Sequence, residues 1–273
     1  MIKQYTKDLS EKEGIFFSKI QSDVSYPEEG NEVCFEVEEN SFWFSHRNNC
    51  IIESFKKYCP ERVFFDIGGG NGYVAKGLQN IGVNTVLLEP GLKGCQNAKK
   101  RGLKNIICST LENAEFGKCS IPSIGLFDVV EHIEDDLTFL TSIHDYLEEG
   151  GYVFITVPAH NFLWSQEDIV AGHYRRYTLR QINEKLKKVG FTIVSSTYFF
   201  SVLPIPIFLS RSIPFLVRWK KKGSDKDRAI RNHSKKSFSE KILNSIWSSE
   251  IKRIKLGKKI PFGGSCLVVA QKM

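Results

Sequence analysis

One stretch of the sequence constrains the fold more than any other: an apolar, β-forming run that ends in an acid and a cluster of glycines. Residues 63–72 read Val-Phe-Phe-Asp-Ile-Gly-Gly-Gly-Asn-Gly, with Asp66 at the end of the apolar run. Glycine is favoured where φ must be positive or where the backbone must touch a ligand closely. A strand-end acid accepts hydrogen bonds from a ligand amine or from the amides of the turn. The stretch predicts a strand, a ligand-binding turn and a helix; a tight turn without a ligand is the alternative.

Short β-rich apolar runs alternate with helical patterns through the middle of the chain, which is typical of βαβ units and a parallel sheet. Strands are predicted at residues 62–67, 85–89, 105–109, 123–129, 152–157, 191–198 and 265–271. Helices are clearest at residues 72–81, 137–147 and 179–189, with glycines where they should end. The sequence therefore predicts an α/β fold.

Composition divides the chain into three parts. Residues 1–60 are predicted to form an acidic, helical lead-in, and residues 61–198 with 265–273 form the α/β domain. Residues 199–264 are an insertion that would cap the sheet. Acidic residues dominate the start, where residues 1–61 hold 12 Asp or Glu against 7 Lys or Arg.

The insertion joins an apolar part to a basic part. Residues 199–217 are apolar, but three prolines interrupt them, so we do not predict a membrane-spanning helix. Residues 211–260 hold 16 Lys or Arg against 4 Asp or Glu. This pattern indicates an apolar lid with a solvated basic face, an amphiphilic or anionic acceptor, or contact with an anionic membrane surface. Aromatic residues are not interleaved with the basic ones, which disfavours nucleic acid as the partner.

The cysteines and the start of the sequence indicate the compartment. The seven cysteines form no CxxC pair, and the first ten residues are polar. Both observations favour reduced thiols and a cytoplasmic location. Neither CxxC nor HExxH occurs, so we expect no metal. The oligomeric state is left open.

Two nucleotide cofactors are compatible with the glycine turn. Gly70-x-Gly72-x-x-Ala75 matches the dinucleotide fingerprint, which favours NAD. However, an acid beside a pyrophosphate is electrostatically unfavourable, whereas Asp66 beside an ammonium group is favourable. Glu89, 17 residues after Gly72, ends the next strand and suits the hydroxyls of a ribose. Both cofactors carry a ribose, so Glu89 does not distinguish them. Asp66 therefore decides in favour of a cationic nucleotide.

Several segments resemble class I S-adenosylmethionine-dependent methyltransferases of the type 11/23 group, which includes the ubiquinone and menaquinone methyltransferases. Residues 66–72 resemble their motif I, residues 127–136 their DVLEH segment, residues 150–158 their PGG turn and residues 40–47 an aromatic lead-in. The resemblance implies a Rossmann-like, seven-stranded, mostly parallel sheet with an antiparallel last strand and helices on both faces. It also implies S-adenosylmethionine as the cofactor. The implied cofactor contacts are Asp66, Gly68, Gly69, Gly70, Gly72, Glu89, Pro90, Thr110, Leu111, Asp128 and Val129, with Thr110 where the family usually has Asp.

The segment after the fifth strand resembles a W-S-x-x-D…H-x-R-R-Y loop found in methyltransferases of cell-surface sugar or lipid pathways. His173 is the predicted general base, with His132 and His160 as weaker candidates. The predicted acceptor contacts are Trp164, Arg175, Arg176 and Tyr177, in which an arginine would hold a phosphate or carboxylate. The alternative is an arginine ladder that caps the helix at residues 179–189.

Three functions remain open from the sequence. The first is O-methylation of a small amphiphilic, sugar- or lipid-linked acceptor by direct displacement, in which positioning matters most. The second is an NAD-dependent oxidoreductase. The third is a non-catalytic, cofactor-binding protein at a membrane.

Overall fold

The computed structural model of the chain describes residues 2–6, 8–20, 34–59, 62–217 and 239–273. Within these ranges, nine strands form one sheet in the order β1-β2-β5-β4-β3-β6-β7-β9-β8. In chain order the strands are β1 (Ser10–Lys12), β2 (Ile15–Phe17), β3 (Phe64–Ile67), β4 (Thr85–Glu89), β5 (Ile106–Cys108), β6 (Ile121–Phe127), β7 (Leu147–Pro158), β8 (Phe191–Phe199) and β9 (Ser265–Lys272).

Strands β2 to β7 pair in parallel, and β9 lies antiparallel between β7 and β8. The helices pack on both faces of this mixed sheet. They are α1 (Phe42–Tyr58), α2 (Tyr73–Asn80), α3 (Leu92–Lys100), α4 (Asp136–Tyr146), α5 (Gln166–Ala171), α6 (Leu179–Lys188), α7 (Pro204–Ile207), α8 (Ile213–Leu216) and α9 (Ser239–Lys255). The Rossmann-like fold expected from the sequence is confirmed, with all seven predicted strands present. Strand β7 begins at Leu147 rather than at residue 152.

The sheet has nine strands instead of seven because the N-terminal segment contributes a hairpin. The segment was predicted to be helical, yet β1 and β2 pair antiparallel, and Phe16 of β2 pairs with Ile107 of β5. Glu13 and Gly14 connect the strands with φ values of 52° and 73°. Two consecutive positive φ values are typical of the tight turns that match strand twist. Among the residues described in this segment, 34–38 and α1 are helical, so the helical prediction fits the later part of the segment.

Buried apolar side chains cover both faces of the sheet. On one face, Phe55 of α1 packs against Phe64 and Phe154. The largest cluster lies on the other face and includes Ile124, Ile155 and core residues of α4 and α6. Because both faces are covered, the parallel strands are apolar without alternation, as β3, β4 and β6 show.

The described part of the insertion forms two helical pieces. Residues 204–216 run through α7, a π-helical turn (Phe208–Ser212) and α8. Helix α9 packs on α1, where Glu250 accepts a hydrogen bond from His46 at 2.9 Å and Trp247 stacks on Phe42. Residues 218–238, which hold nine of the 16 Lys or Arg of the predicted basic stretch, lie outside the described residues. Among the described helices, none combines the length and apolar composition needed to cross a membrane.

Candidate cofactor site and active site

The carboxyl ends of β3, β4, β5 and β6 meet at one edge of the sheet, and the glycine turn follows β3 there. Gly68, Gly70 and Gly72 have φ values of 67°, 53° and 71°, a left-handed region that side chains disfavour. A Cβ atom on Gly69 would lie 2.3 Å from Cδ1 of Leu87. The turn is therefore bare backbone for reasons of both conformation and space.

Asp66 lies directly beneath this turn with 1% of its surface exposed. Its Oδ2 accepts a hydrogen bond from the amide of Ala75 at 3.1 Å, while Oδ1 has no hydrogen-bond partner among the described residues. Burial raises the pKa of Asp66 to about 7, and the nearby charge of Arg47 opposes part of that rise. A buried carboxylate oxygen without a partner is costly, so this position favours a ligand that brings a positive charge.

Glu89 ends β4 beside the same turn. Its two carboxylate oxygens accept hydrogen bonds from the amides of Gly70 at 2.9 Å and Gly91 at 2.8 Å. Burial raises the pKa of Glu89, and these two amides lower it. Each carboxylate oxygen has a second lone pair, so both can still accept from ribose hydroxyls. Pro90 continues the loop from Glu89 to Gly91.

The end of β5 lies next to Glu89, because the amide of Ser109 donates a hydrogen bond to the backbone carbonyl of Glu89 at 3.2 Å. Thr110 is half-buried, and its Oγ1 accepts a hydrogen bond from the amide of Asn113 at 3.3 Å. Leu111 is buried in the core. Of these two predicted contacts, Thr110 offers a polar group at the edge of the sheet and Leu111 offers apolar surface.

Asp128 and Val129 follow β6 on the opposite side of the glycine turn. Asp128 has a φ of 56° and accepts a hydrogen bond from Oγ1 of Thr156 at 3.0 Å. Val129 packs so closely that a Cβ atom on Gly68 would lie 2.9 Å from its Cγ2. Both predicted contacts thus lie beside the turn.

Arg47 of α1 completes this side of the site, although the sequence analysis placed it only within the aromatic lead-in. Its Nη2 pairs with Oδ2 of Asp128 at 2.7 Å, and its side chain is 8% exposed. Its Nε has no hydrogen-bond partner within the described part of the chain. The guanidinium also lies 5.5 Å from the ring of Trp43. The buried guanidinium of Arg47, which lies near Asp66 and Asp128, is a group that can bind the carboxylate end of a ligand.

A polar network that the sequence did not reveal anchors the N-terminal segment to the glycine turn. Nη2 of Arg101 pairs with Oε2 of Glu38 at 2.9 Å, and Nη1 donates to the carbonyl of Asn71 at 2.7 Å. The side chain of Asn71 also accepts from Asn97 at 3.0 Å. Only Asn71 belongs to a motif; the other residues come together through folding, without a local sequence signal.

These residues fit S-adenosylmethionine. Asp66 would bind the ammonium group, Glu89 the ribose hydroxyls and Arg47 the carboxylate, with the bare turn against the nucleoside. When bound, this cofactor supplies an electrophilic methyl group on a positively charged sulfur.

The loop after β7 holds His173 in a fixed orientation. Nδ1 of His173 bonds Oδ1 of Asp168 at 2.9 Å. Asp168 also accepts hydrogen bonds from Nε of Arg176 at 2.7 Å and from Nη2 of Arg176 at 3.0 Å. In addition, Asp168 forms a capping box with Ser165 at the start of α5. Arg176 donates further to the carbonyl of Ala159. Arg176 is thus enclosed as a structural residue, and its predicted role as an acceptor contact does not fit this position.

Two more predicted acceptor contacts hold the loop to α4. Tyr177 is 2% exposed, and its hydroxyl donates to Oδ2 of Asp136 at 2.8 Å. Tyr177 is therefore a core residue, which does not fit the predicted acceptor contact. Nη1 of Arg175 pairs with the same carboxylate at 2.9 Å, yet 29% of the Arg175 side chain remains exposed. Trp164 is half-buried at the end of a short 3₁₀ turn.

The three candidate bases divide into two groups. His132 and His173 lie together with ring centroids 4.8 Å apart, close after Asp128. Burial and the charge of His173 lower the pKa of His132 to about 4, although Asp128 raises it. His160 lies apart, stacked on Tyr198 at 4.9 Å, and burial lowers its pKa too.

Comparison with known proteins agrees with this geometry. A family model described as a methyltransferase domain matches residues 44–196. No curated protein matches the sequence. The fold resembles a Haemonchus contortus phosphoethanolamine N-methyltransferase 2 in complex with S-adenosyl-L-methionine (TM-score 0.57, 20% identity, 91% of this chain and 58% of that one). It also resembles the plantazolicin methyltransferase BamL (0.55, 15%, 91% and 92%) and the [4+2]-cyclase SpnF (0.52, 13%, 84% and 82%).

The chain therefore belongs to the methyltransferase-domain family. S-Adenosyl-L-methionine is bound in the Haemonchus contortus structure that this fold resembles. The chain spans 58% of the length of the Haemonchus contortus protein.

Proposed function

We propose that the protein transfers the methyl group of S-adenosylmethionine to an oxygen atom of a small amphiphilic acceptor that is linked to a sugar or a lipid. The observation that carries the proposal is Asp66, a buried acid beneath a bare glycine turn, one oxygen of which has no hydrogen-bond partner among the residues that the structure describes. That arrangement suits a cationic nucleotide and disfavours the pyrophosphate of NAD, the alternative cofactor.

Positioning of the acceptor would supply most of the rate, because methyl transfer from a sulfonium is a direct displacement. In this proposal His173 takes the proton of an acceptor hydroxyl. Its Nδ1 is held by Asp168, so the neutral ring keeps its lone pair on Nε2. Its side chain is 16% exposed, which is enough for contact with a ligand in a cleft.

The acceptor side is apolar and aromatic. Phe162 stacks on His160 at 5.3 Å and contacts Phe208 of the insertion at 5.8 Å. The ring of Phe262, after α9, is tilted against His160 with the ring centroids 4.9 Å apart. These contacts bring both ends of residues 199–264 to the loop after β7, which supports the division of the chain into a cofactor domain and an acceptor cap.

The names of the related structures support a small-molecule acceptor, since they mention phosphoethanolamine and plantazolicin. The [4+2]-cyclase shows that this fold also serves proteins with a different named activity. The alternatives to test are therefore an oxidoreductase that uses NAD and a cofactor-binding protein without catalysis.

Cofactor titration tests the proposal. The full chain is titrated with S-adenosylhomocysteine and, separately, with NADH. We expect binding of the first only, and at least about tenfold weaker binding by Asp66→Asn because an ion pair is lost. Asp145→Asn, which changes an exposed acid, is the matched control. Binding of NADH, or unchanged affinity in Asp66→Asn, contradicts the proposal.

The atom that accepts the methyl group is tested by turnover. Tritiated S-adenosylmethionine is incubated with amphiphilic alcohols, phenols and amines, and the products are analysed by mass spectrometry. We expect methyl ethers, and we expect His173→Ala to lose turnover while keeping its affinity for S-adenosylhomocysteine. Products methylated only at nitrogen would refute the choice of oxygen.

A further inference from the structure

Glu131 is a buried acid that the proposed function does not use. It lies in the 3₁₀ turn Val130–His132 after β6 and is 0% exposed. Neither carboxylate oxygen has a hydrogen-bond partner in the described part of the chain. Because an isolated buried carboxylate is costly, its surroundings must offer a positive charge or keep it protonated.

Two imidazole rings lie beside this acid. Glu131, His132 and His173 each place one possible ligand atom within 4.8 Å of the others. The amide of Tyr174 donates to the carbonyl of Glu131 at 2.8 Å, which holds the loop of His173 against the turn of Glu131 and His132. The cluster joins two segments that are about 40 residues apart along the chain.

Both rings are oriented by acceptors outside the cluster. Asp168 accepts from Nδ1 of His173 at 2.9 Å and is itself held by Arg176. The ring of His132 hydrogen-bonds to the backbone of Gly172. Metal-ligating histidines commonly donate their second ring N–H to a carboxylate or a backbone carbonyl, which fixes the tautomer and the ring.

We propose that Glu131, His132 and His173 bind a divalent first-row transition ion, such as Zn²⁺ or Mn²⁺. Two imidazole nitrogens and one carboxylate are a donor set that such ions accept with coordination positions left open. The ion would compensate the buried charge of Glu131. No metal was expected from the sequence, because neither CxxC nor HExxH occurs in it. His132 and His173 meet only in the folded chain.

The site adjoins the cofactor turn, since Val129, two residues before Glu131, packs against Gly68. The role of the ion in catalysis rests on the proposed function. The ion would bind near the acceptor hydroxyl and lower the pKa of that hydroxyl, and the proton would pass to water. His173 would then act as a metal ligand and not as the general base.

Metal binding is measured directly on the full chain, produced without a histidine tag and stripped with a chelator. Zn²⁺ and Mn²⁺ are titrated by competition with a chromogenic chelator, and bound metal is quantified by mass spectrometry after gel filtration. We expect one equivalent for the wild type. We expect at least about tenfold weaker binding by Glu131→Gln and His173→Ala. His144→Gln, on α4 and outside the cluster, is the matched control and should bind as the wild type does.

A wild type that retains no stoichiometric ion overturns the proposal, and it means that Glu131 is simply protonated. Binding that is unchanged in both variants overturns it as well. Circular dichroism checks that each variant folds; if Glu131→Gln does not, His173→Ala, at a partly exposed position, decides. S-Adenosylhomocysteine affinity is measured on the same samples. If the wild type binds no metal but still binds S-adenosylhomocysteine, only the proposed metal site is refuted. If the wild type does not bind S-adenosylhomocysteine, the proposed function is refuted.

Discussion

At the scale of single residues, the site combines acids in different electrostatic states. Asp66 is fully enclosed, and burial raises its pKa to about 7. Asp168 is equally enclosed, and although burial raises its pKa, the hydrogen bonds from His173 and Arg176 lower it below its ordinary value. The difference lies in the partners: Asp168 has a charged donor on each oxygen, whereas Asp66 has one backbone amide. Asp66 is therefore the acid whose charge depends on a ligand.

The affinity for the cofactor should depend on pH through Asp66. Its pKa in the folded protein lies above the ordinary value of 3.8, so without ligand the neutral form predominates below pH 7. A ligand ammonium favours the ionised form, so binding releases a proton and weakens by up to about tenfold per pH unit below the folded pKa. Isothermal titration with S-adenosylhomocysteine from about pH 5.5 to 8.5, in buffers of different ionisation enthalpy, measures both effects. Asp66→Asn should show neither, and a flat profile for the wild type would disprove the titration of Asp66.

Arg47 should contribute to cofactor affinity although it lies on a helix outside the glycine motif. Arg47→Met keeps the apolar length of the side chain but removes the ion pair with Asp128 and the charge beside Asp66. We expect affinity for S-adenosylhomocysteine to fall about 10- to 100-fold, or about 1.5–3 kcal/mol, as for hydrogen bonds to charged groups. Arg180→Met, at an 86% exposed side chain, is the control and should bind normally. Equal affinities for the two variants would contradict this role.

At the scale of elements, α1 links the cofactor site to the insertion. Arg47 on this helix pairs with Asp128, while the adjacent His46 pairs with Glu250 of α9 at 2.9 Å. Glu250 also accepts from the amides of Phe200 and Ser201, which begin the insertion. Neighbouring positions on α1 therefore contact both the loop after β6, beside the glycine turn, and helix α9 of the insertion.

The edge hairpin should contribute to stability rather than to binding. Ile15 is 4% exposed and packs into a cluster with Ala75, Leu87 and Ile106. Ile15→Ala should lower the free energy of unfolding by about 2–4 kcal/mol, because it removes buried apolar groups and leaves a cavity. Ile20→Ala, at a 62% exposed position on the same segment, should cost less than about 0.5 kcal/mol. Urea denaturation compares the two; equal losses would mean that the hairpin does not dock in solution.

Prediction from sequence succeeded where local patterns decide the structure. The apolar runs of β3 and β4 and the glycines between β3 and α2 have one plausible arrangement each, and the structure has it. The hairpin was missed because each of its strands is only three residues long, too short for a periodic signal, and pairs with a distant partner. The contacts of Arg47, Arg101 and Glu131 were missed because they depend on tertiary packing, which no local spacing encodes.

At the scale of the whole molecule, the insertion exposes apolar side chains next to a basic stretch. Ile205, Leu209 and Leu216 are each at least 59% exposed. The residues that follow along the chain, 218–238, include nine Lys or Arg against two Asp. Exposed apolar side chains that are followed along the chain by basic residues are suited to the surface of an anionic membrane. Such a location fits a lipid-linked acceptor.

Membrane binding is therefore predicted to need anionic lipid. Vesicles of phosphatidylcholine with phosphatidylglycerol should co-sediment with the protein, and vesicles of phosphatidylcholine alone should not, because the basic residues require negative headgroups. High salt should weaken binding. The double variant Leu209→Ser and Leu216→Ser should bind at least about tenfold less, since two exposed apolar side chains are lost. Leu92→Ser, at a 44% exposed position on α3, is the control. Equal binding to neutral vesicles would contradict the prediction.

The position of β9 has a consequence for biosynthesis. This strand follows all the others along the chain, yet it lies between β7 and β8 and pairs with both over most of their length. Strands β3 to β6 can pair as soon as they leave the ribosome, whereas β7 and β8 have no common neighbour until residues 265–272 have been translated. Strands β3 to β6 can therefore assemble early in translation, while β8 gains its neighbour in the described sheet only after residues 265–272 have been translated.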